Sequence, residues 1–310
     1  MLNADTVNFS EYMAETDAAH KVIRASSFAD EVIGYFHANT PMHGSKLPWP
    51  KTHGQVRFRP GEVTLWAGMG GHGKSLVLGQ TVIGFWAQRQ RSCVASMEMK
   101  PMVTLARICR QAYGASVPDA EFIREFHALT DGWLWLYDQQ GTVKPDMMLA
   151  VVRYCADRLK VDHFVIDSLM KCGIAEDDFN RQKAFIDSLT AIARDTGIHI
   201  HLVAHSRKKT DEHSPPGKMD VKGTGAITDQ VDNVLTVWRN KRKEAQLQEG
   251  STKPMQEPDA IIICDKQRNG EWEGKIGLWF QPAAMQFVEN GVCGPMDMLV
   301  PKGRVSKHGC

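Results

Sequence analysis

An apolar, strand-like run ends at Ala67, a helical pattern begins at Lys74, and between them the chain reads Gly68-Met69-Gly70-Gly71-His72-Gly73-Lys74-Ser75. This G-x-x-x-x-G-K-[ST] segment restricts the fold more than any other in the sequence. Its glycines let a loop curl until several backbone N–H groups point at one spot, and the N-terminus of the next helix adds partial positive charge there. Phosphate oxygens are what such a cradle holds. The arrangement works only where a strand feeds a loop that feeds a helix, which requires an α/β sheet whose strand ends are open to a ligand. Gly68, Gly70, Gly71 and Gly73 are expected to shape the cradle, Lys74 to reach the β- and γ-phosphates, and Ser75 to ligate Mg2+. A Gly-rich turn with a solvated lysine is the rival reading; the strand before the loop and the helix after it argue against that.

The remainder of the chain supplies such a sheet. After a loop punctuated by Pro48, Pro50 and Gly54, short β-branched or apolar runs alternate with helical patterns, the signature of a mostly parallel central sheet with flanking helices. Strands are expected at residues 63–67, 92–96, 134–137, 163–167, 199–204, 233–239, 260–266 and 275–280, and helices at 74–88, 101–113, 146–159 and 180–196. Residues 9–37 read mainly as helix with a break near Ser26 and Ser27, giving a short helical N-terminal arm that cannot own a core. The expected division is an arm and linker over 1–55, the α/β unit over 56–290, and a basic tail over 291–310, where Lys302, Arg304 and Lys307 stand with no acid after Asp297.

Composition narrows the class further. With 310 residues, 43% hydrophobic and 24% charged, the chain can fill a core and is not of the disordered kind. Its formal net charge is +1, so no global field draws it to nucleic acid and any such contact must be local. No apolar run approaches the roughly 18–20 residues that span a bilayer, so no membrane partner is expected. The first twenty residues hold Asp5, Glu11, Glu15 and Asp17 without Lys or Arg, the reverse of a secretory or mitochondrial leader, and this predicts a cytoplasmic protein. Seven scattered cysteines with no C-x-x-C pair argue against disulfides and zinc.

A phosphate loop needs an acid at the end of another strand to hold Mg2+ through its water shell. His163-Phe164-Val165-Ile166-Asp167-Ser168 is an apolar run ending in a carboxylate, and Asp167 fits that role; the bland alternative is that it caps the next turn. Attack of water on a phosphate also needs a base. Glu98, in Ser96-Met97-Glu98-Met99 just past a strand, is the candidate, although a lone Glu there reads equally as a solvated surface acid.

Taken together, the loop at 68–75, the segment 96–99, Asp167-Ser168, Leu202-Val203-Ala204-His205-Ser206-Arg207, Lys222-Gly223-Thr224-Gly225-Ala226-Ile227 and Lys266-Gln267-Arg268-Asn269-Gly270 resemble the RecA-like motor of DnaB-type hexameric replicative helicases and phage primase-helicases. The match runs from about Val56 to Val288. The resemblance implies a RecA-like P-loop ATPase core that binds ATP, or another NTP or dNTP, with Mg2+. It also implies a homo-oligomer in the form of a hexameric ring, which translocates on single-stranded DNA and unwinds duplex by strand exclusion, with a primase or a loader protein as further partner. His205 then resembles the polar sensor of the γ-phosphate. Arg268 resembles the arginine finger that enters a neighbouring copy's nucleotide site, with Lys266 two residues earlier on the same side of a strand. Taken alone, a His at a strand end is structural, and Lys266 and Arg268 are edge-strand charges.

By the same resemblance, DNA is met by loops. Residues 207–222 follow the sensor directly and carry five Lys/Arg against three Asp/Glu with no aromatic residue. Arg207, Lys208, Lys209, Lys218 and Lys222 are therefore the expected contacts, tracking the DNA backbone by charge rather than by stacking on bases. A second, more acidic loop follows Asp167, around residues 171–181. The basic run 239–243 reads as part of a solvated helix, and Trp133, Trp135, Trp272 and Trp279 as packing. The residues before Gly61 are too few for a primase, a zinc ribbon or a globular N-terminal domain, so primase activity is not expected. Two other readings fit part of the pattern. An ATP-gated DNA-binding scaffold or helicase loader would hydrolyse nucleotide without separating strands, and a RecA-type recombinase would form open filaments; Lys266-Gln267-Arg268 counts against the second.

Overall fold

The computed structural model describes residues 24–37, 43–206, 225–250, 256–296 and 298. Its strands are β1 (Val63–Ala67), β2 (Ser92–Ser96), β3 (Leu134–Leu136), β4 (His163–Asp167), β5 (His199–Val203), β6 (Asn233–Arg239), β7 (Ala260–Gln267), β8 (Gly274–Gln281) and β9 (Gln286–Val288). The helices are α1 (Ala29–His37), α2 (Lys74–Ala87), α3 (Pro101–Tyr113), α4 (Ala120–Thr130), α5 (Pro145–Asp157), α6 (Phe179–Thr196), α7 (Gly225–Gln230) and α8 (Lys241–Gln248). One sheet holds all nine strands in the order β3-β2-β4-β5-β1-β6-β7-β8-β9. Pairing is parallel from β3 to β6 and antiparallel from β6 to β9. This is the α/β, mostly parallel sheet with flanking helices that the alternating pattern requires.

Strands β1, β2, β4 and β5 are buried at every residue, as a sheet covered on both faces demands. Side chains alternate between two cores. Val63, Leu65 and Ala67 of β1 join Phe164, Ile166, Ile200 and Leu202 against α5 and α6. Trp66, Val165 and Val203 face the other way, against Val77, Leu78 and Phe85 of α2. Leu47, Trp49, Val56 and Phe58 belong to this second core, so residues 45–58 are packed into the α/β unit before β1 begins.

That second face also carries three buried imidazoles. Trp66 Nε1, a donor only, gives its proton to His201 Nδ1 (3.1 Å), which leaves neutral His201 its proton on Nε2 to donate to His163 Nδ1 (3.2 Å). His163 in turn donates from Nε2 to Ser45 Oγ (2.8 Å). His199 is fixed in the opposite tautomer, donating from Nδ1 to Arg59 O (2.6 Å) and accepting from Thr64 Oγ1 (2.9 Å). Burial holds His163 and His201 well below the usual imidazole range and His199 down at about 4.

Several elements go beyond the sequence pattern. Helix α4 is capped by Asp119, whose Oδ1 accepts from Phe122 N (2.8 Å), and strand β9 closes the sheet's far edge. The expected break near Ser26 and Ser27 is a 3-10 turn, Ala25–Phe28, ahead of α1. On α1, Val32, Ile33 and Phe36 are 50%, 56% and 72% exposed; Phe9, Met13, Val22 and Ile23 of the expected arm lie outside the described residues. Cys93, Cys109, Cys155, Cys172 and Cys264 are free and buried. Cys293 is disulfide-bonded, which corrects the expectation of thiols only, and its partner lies outside the described residues. Among the described residues no helix is long and apolar enough to cross a membrane.

Candidate nucleotide-binding site

The chain leaves β1 at Ala67 and enters the Gly-rich loop at Gly68, whose φ of +147° and contact with β6 admit no side chain: a Cβ there would lie 2.4 Å from Val237 O. Gly73, the N-cap of α2, has φ +89° and rests on the Phe287 ring of β9. These two residues fix where the loop starts and stops. Lys74, the first residue of α2, curls back over the loop, donating from Nζ to Gly68 O (2.7 Å) and Met69 O (2.9 Å). Burial pushes its amine down to about 8, against the pull of Asp167 and Glu98. An anion in the cradle would repay that desolvation. His72, also in the loop, accepts at Nδ1 from Arg239 N (3.1 Å), so the loop is pinned to the end of β6 as well.

Asp167 ends β4, and the parallel register sets Ser96 of β2 beside it. Ser75 Oγ donates to Asp167 Oδ2 at 2.6 Å. Burial raises the Asp167 carboxyl, the Ser75 hydrogen bond opposes that, Glu98 adds to the rise, and the Lys74 and Arg107 cations oppose it. A hydroxyl and a carboxylate are hard oxygen donors of the kind that hold Mg2+ together with water and phosphate. Among the described residues no group of three or more His, Cys, Asp or Glu could hold a metal ion without such help. The donor set thus fits the expected cation, which Ser75 and Asp167 would hold.

Glu98 lies two residues beyond β2, where Met97 N donates to Asp167 O (3.0 Å). Ser168 Oγ donates to Glu98 Oε1 (3.2 Å), and His205 Nε2 stands 3.9 Å from the same oxygen. The next residue, Ser206, donates from its backbone N–H to Gly68 O (3.0 Å). Neighbouring strand ends therefore bring Lys74, Ser75, Glu98, Asp167 and His205 to one mouth, at the carboxyl end of the parallel strands. Sequence reasoning gave Ser168 no role, and it overlooked His72, Phe287 and Arg107; their partners come from strands and helices distant in the chain.

Lys266 and Arg268 are elsewhere. Lys266 Nζ donates to the carbonyls of Thr228 (2.9 Å), Asp229 (3.0 Å) and Val231 (2.8 Å), around the C-terminus of α7. Arg268 pairs with Asp232 (3.3 Å) and donates to Asp229 O (3.0 Å), with its side chain 40% exposed. Positive groups at a helix C-terminus are favourably placed. Because β7 runs antiparallel to β6, Lys266 adjoins Val234, whereas the phosphate loop meets β6 at Val237. The five residue steps from Asp232 to Val237 span about 16 Å of strand, so Arg268 stands far from the phosphate loop of its own chain. Arg207, Lys208, Lys209, Lys218 and Lys222 lie outside the described residues. The second loop, after β4, opens with a 3-10 turn, Leu169–Lys171, and shares a shallow pocket with His205.

Comparison with known proteins agrees with this architecture. The family described as "DnaB-like helicase C terminal domain" matches residues 52–289. A curated relative, the replicative DNA helicase DnaB of Treponema pallidum (strain Nichols), is 26% identical over 227 residues, covering 68% of this chain and 48% of the relative. The chain thus spans about half the length of that protein. A solved ATPase domain superposes with a TM-score of 0.69 at 13% identity, over 89% of this chain and 99% of its own. A DnaB-like replicative helicase, solved in a study of its interactions with primase, gives a TM-score of 0.67 at 13% identity, over 86% of this chain and 67% of its own.

Proposed function

Since the chain belongs to the DnaB-like helicase C-terminal domain family, with a RecA-like fold, we propose that it is the motor of a ring-forming DNA helicase. In this reading it hydrolyses ATP or a related nucleotide, translocates on single-stranded DNA and unwinds duplex by excluding one strand. The observation that carries the reading is the grouping of Lys74, Ser75, Glu98, Asp167 and His205 at one sheet end, with Arg268 held at the other.

The phosphate loop and Lys74 bind the β- and γ-phosphates. Ser75 and Asp167 would hold Mg2+, which when bound would neutralise charge on the phosphate oxygens. Glu98, oriented by Ser168, takes the proton of the attacking water. His205 is close enough to Glu98 to register its change of partner, and the loop at 207–222 starts two residues later, so loss of the γ-phosphate is relayed to the DNA contacts at Arg207, Lys208, Lys209, Lys218 and Lys222. Lys266 and Arg268 complete the site of a neighbouring copy.

A hexameric ring, a primase or loader protein as partner, and a cytoplasmic location complete the proposal. So does the division into an arm and linker over 1–55, a motor over 56–290 and a basic tail over 291–310, with the end of the linker, from Ser45 on, packed into the motor's second core. The deciding experiment images the protein with a non-hydrolysable nucleotide and an oligonucleotide, and assays separation of a forked duplex. Closed rings and nucleotide-dependent unwinding are expected. Open filaments, or DNA-stimulated hydrolysis without strand separation, would refute the proposal.

A further inference from the structure

Beside the Ser75–Asp167 pair, a cavity of about 30 Å³ runs inward between α2, α3 and the paired strands β2 and β4. Most of its wall is aliphatic, but Ser96 and Thr104 line it with hydroxyls. Both residues are more than nine-tenths buried, with 5% and 6% exposure. Neither Ser96 Oγ nor Thr104 Oγ1 has a hydrogen-bond partner among the described residues. Native proteins rarely leave a buried hydroxyl unpaired, and two on one cavity require something that both donates and accepts. The same wall carries the Arg107 guanidinium and the Asp167 carboxylate, whose charges offset each other, so neither a free cation nor an anion is favoured there. The size admits roughly one or two water molecules. Asp167 spends Oδ2 on Ser75, and no residue of the described chain donates to Oδ1.

We propose that this cavity is a built water site, in which Ser96 and Thr104 hold water that bridges to Asp167 Oδ1 and so fixes the carboxylate with Oδ2 toward Ser75 and the cation. Ser96 and Thr104 are positioning residues in this scheme. The inference rests on the reading of Asp167 as a cation ligand.

The test uses Ser96→Ala and Thr104→Val, singly and together, in the full chain. If the hydroxyls face a dry cavity, apolar isosteres relieve them and the midpoint of thermal unfolding without nucleotide rises by roughly 2–4 °C. If they hold water, the midpoint stays or falls. The second readout is binding of Mn2+ in the presence of ADP, followed by electron paramagnetic resonance, which the double variant should weaken roughly three- to tenfold. Thr104→Ser, which keeps the hydroxyl, should restore it. A raised midpoint, or Mn2+ affinity unchanged in the double variant, overturns the proposal. Failure of the parent protein to bind Mn2+ and nucleotide at all would instead overturn the ATPase reading, and the unfolding comparison still reports on the cavity.

Discussion

At the scale of single residues, Glu98 receives a hydroxyl from Ser168 on one side and faces His205 on the other, both partners lying at neighbouring strand ends. Glu98→Gln preserves that size and keeps an oxygen for Ser168 but cannot accept a proton. Nucleotide binding should survive while turnover falls by roughly 100-fold or more; normal hydrolysis by Glu98→Gln would identify another base. The buried histidines make a separate prediction. Their folded pKa values lie below the ordinary 6.5, so the unfolded chain binds more protons as pH falls below 6.5. Their stability contribution is complete above that pH and lost downward, for His199 until about 4. Each costs about 1.4 kcal/mol per pH unit in that window, and the three together ~4 kcal/mol. Urea midpoints measured from pH 8 to 5 should drop steeply below 6.5, and His163→Gln should reduce the slope by about a third. A flat profile would contradict the neutral, oriented chain from Trp66 to Ser45. That Lys74, Ser75 and Asp167 lie side by side was legible in the sequence, the first two from a local motif and Asp167 from an apolar run ending in a carboxylate. The histidines were not: 199 and 201 share a strand face by their spacing, but only the β4–β5 pairing shows that His163 meets them.

At the scale of elements, the strands with continuous apolar runs were legible to within a residue or two, and so were α2 and α3. Helix α4 was missed although Asp119 and the spacing of Phe122, Phe126 and Leu129 announce it; its short apolar stripe faces only part of a neighbouring helix layer. Strand β9 could not be read locally. Its three residues are specified by α2 and α3: Gln80 donates from Nε2 to Phe287 O (2.9 Å) and accepts at Oε1 from Phe287 N (2.8 Å), as a strand partner would. Trp49 Nε1 reaches the same carbonyl (2.7 Å), and Gln111 Nε2 holds Met285 O (2.8 Å). Gln80→Leu would strand the buried N–H of Phe287 beneath Gly73. The expected cost is about 1–3 kcal/mol, seen as a lower unfolding midpoint together with weaker nucleotide binding. An unchanged midpoint would show that β9 is held by its pairing with β8, by Trp49 and by its ring packing, without Gln80.

At the scale of the whole molecule, no reading of the sequence could show that Lys266 and Arg268 face away from the phosphate loop, because this depends on the direction of β7. If Arg268 serves a second copy, subunits carrying Arg268→Ala and subunits carrying Lys74→Ala are each inactive but repair one another. A random equal mixture places an intact pair at about a quarter of contacts, and ATPase should recover accordingly. No recovery in confirmed mixed oligomers would argue that Arg268 acts in its own chain or not at all. The exposed Val32, Ile33 and Phe36 of α1 make a related prediction: deleting residues 1–39 should leave a folded, nucleotide-binding protein whose oligomer dissociates. Light scattering with nucleotide and DNA checks it, and particles of undiminished mass would show the arm dispensable. The reversal of chain direction between β6 and β7 then has a geometric result. If Arg268 is a neighbour's finger, it gives each copy a socket at one pole and a plug at the other, so that copies joined head to tail repeat a single contact along a row. An open row of such copies always leaves one socket unfed and one plug idle, and only closing the row brings every site into use.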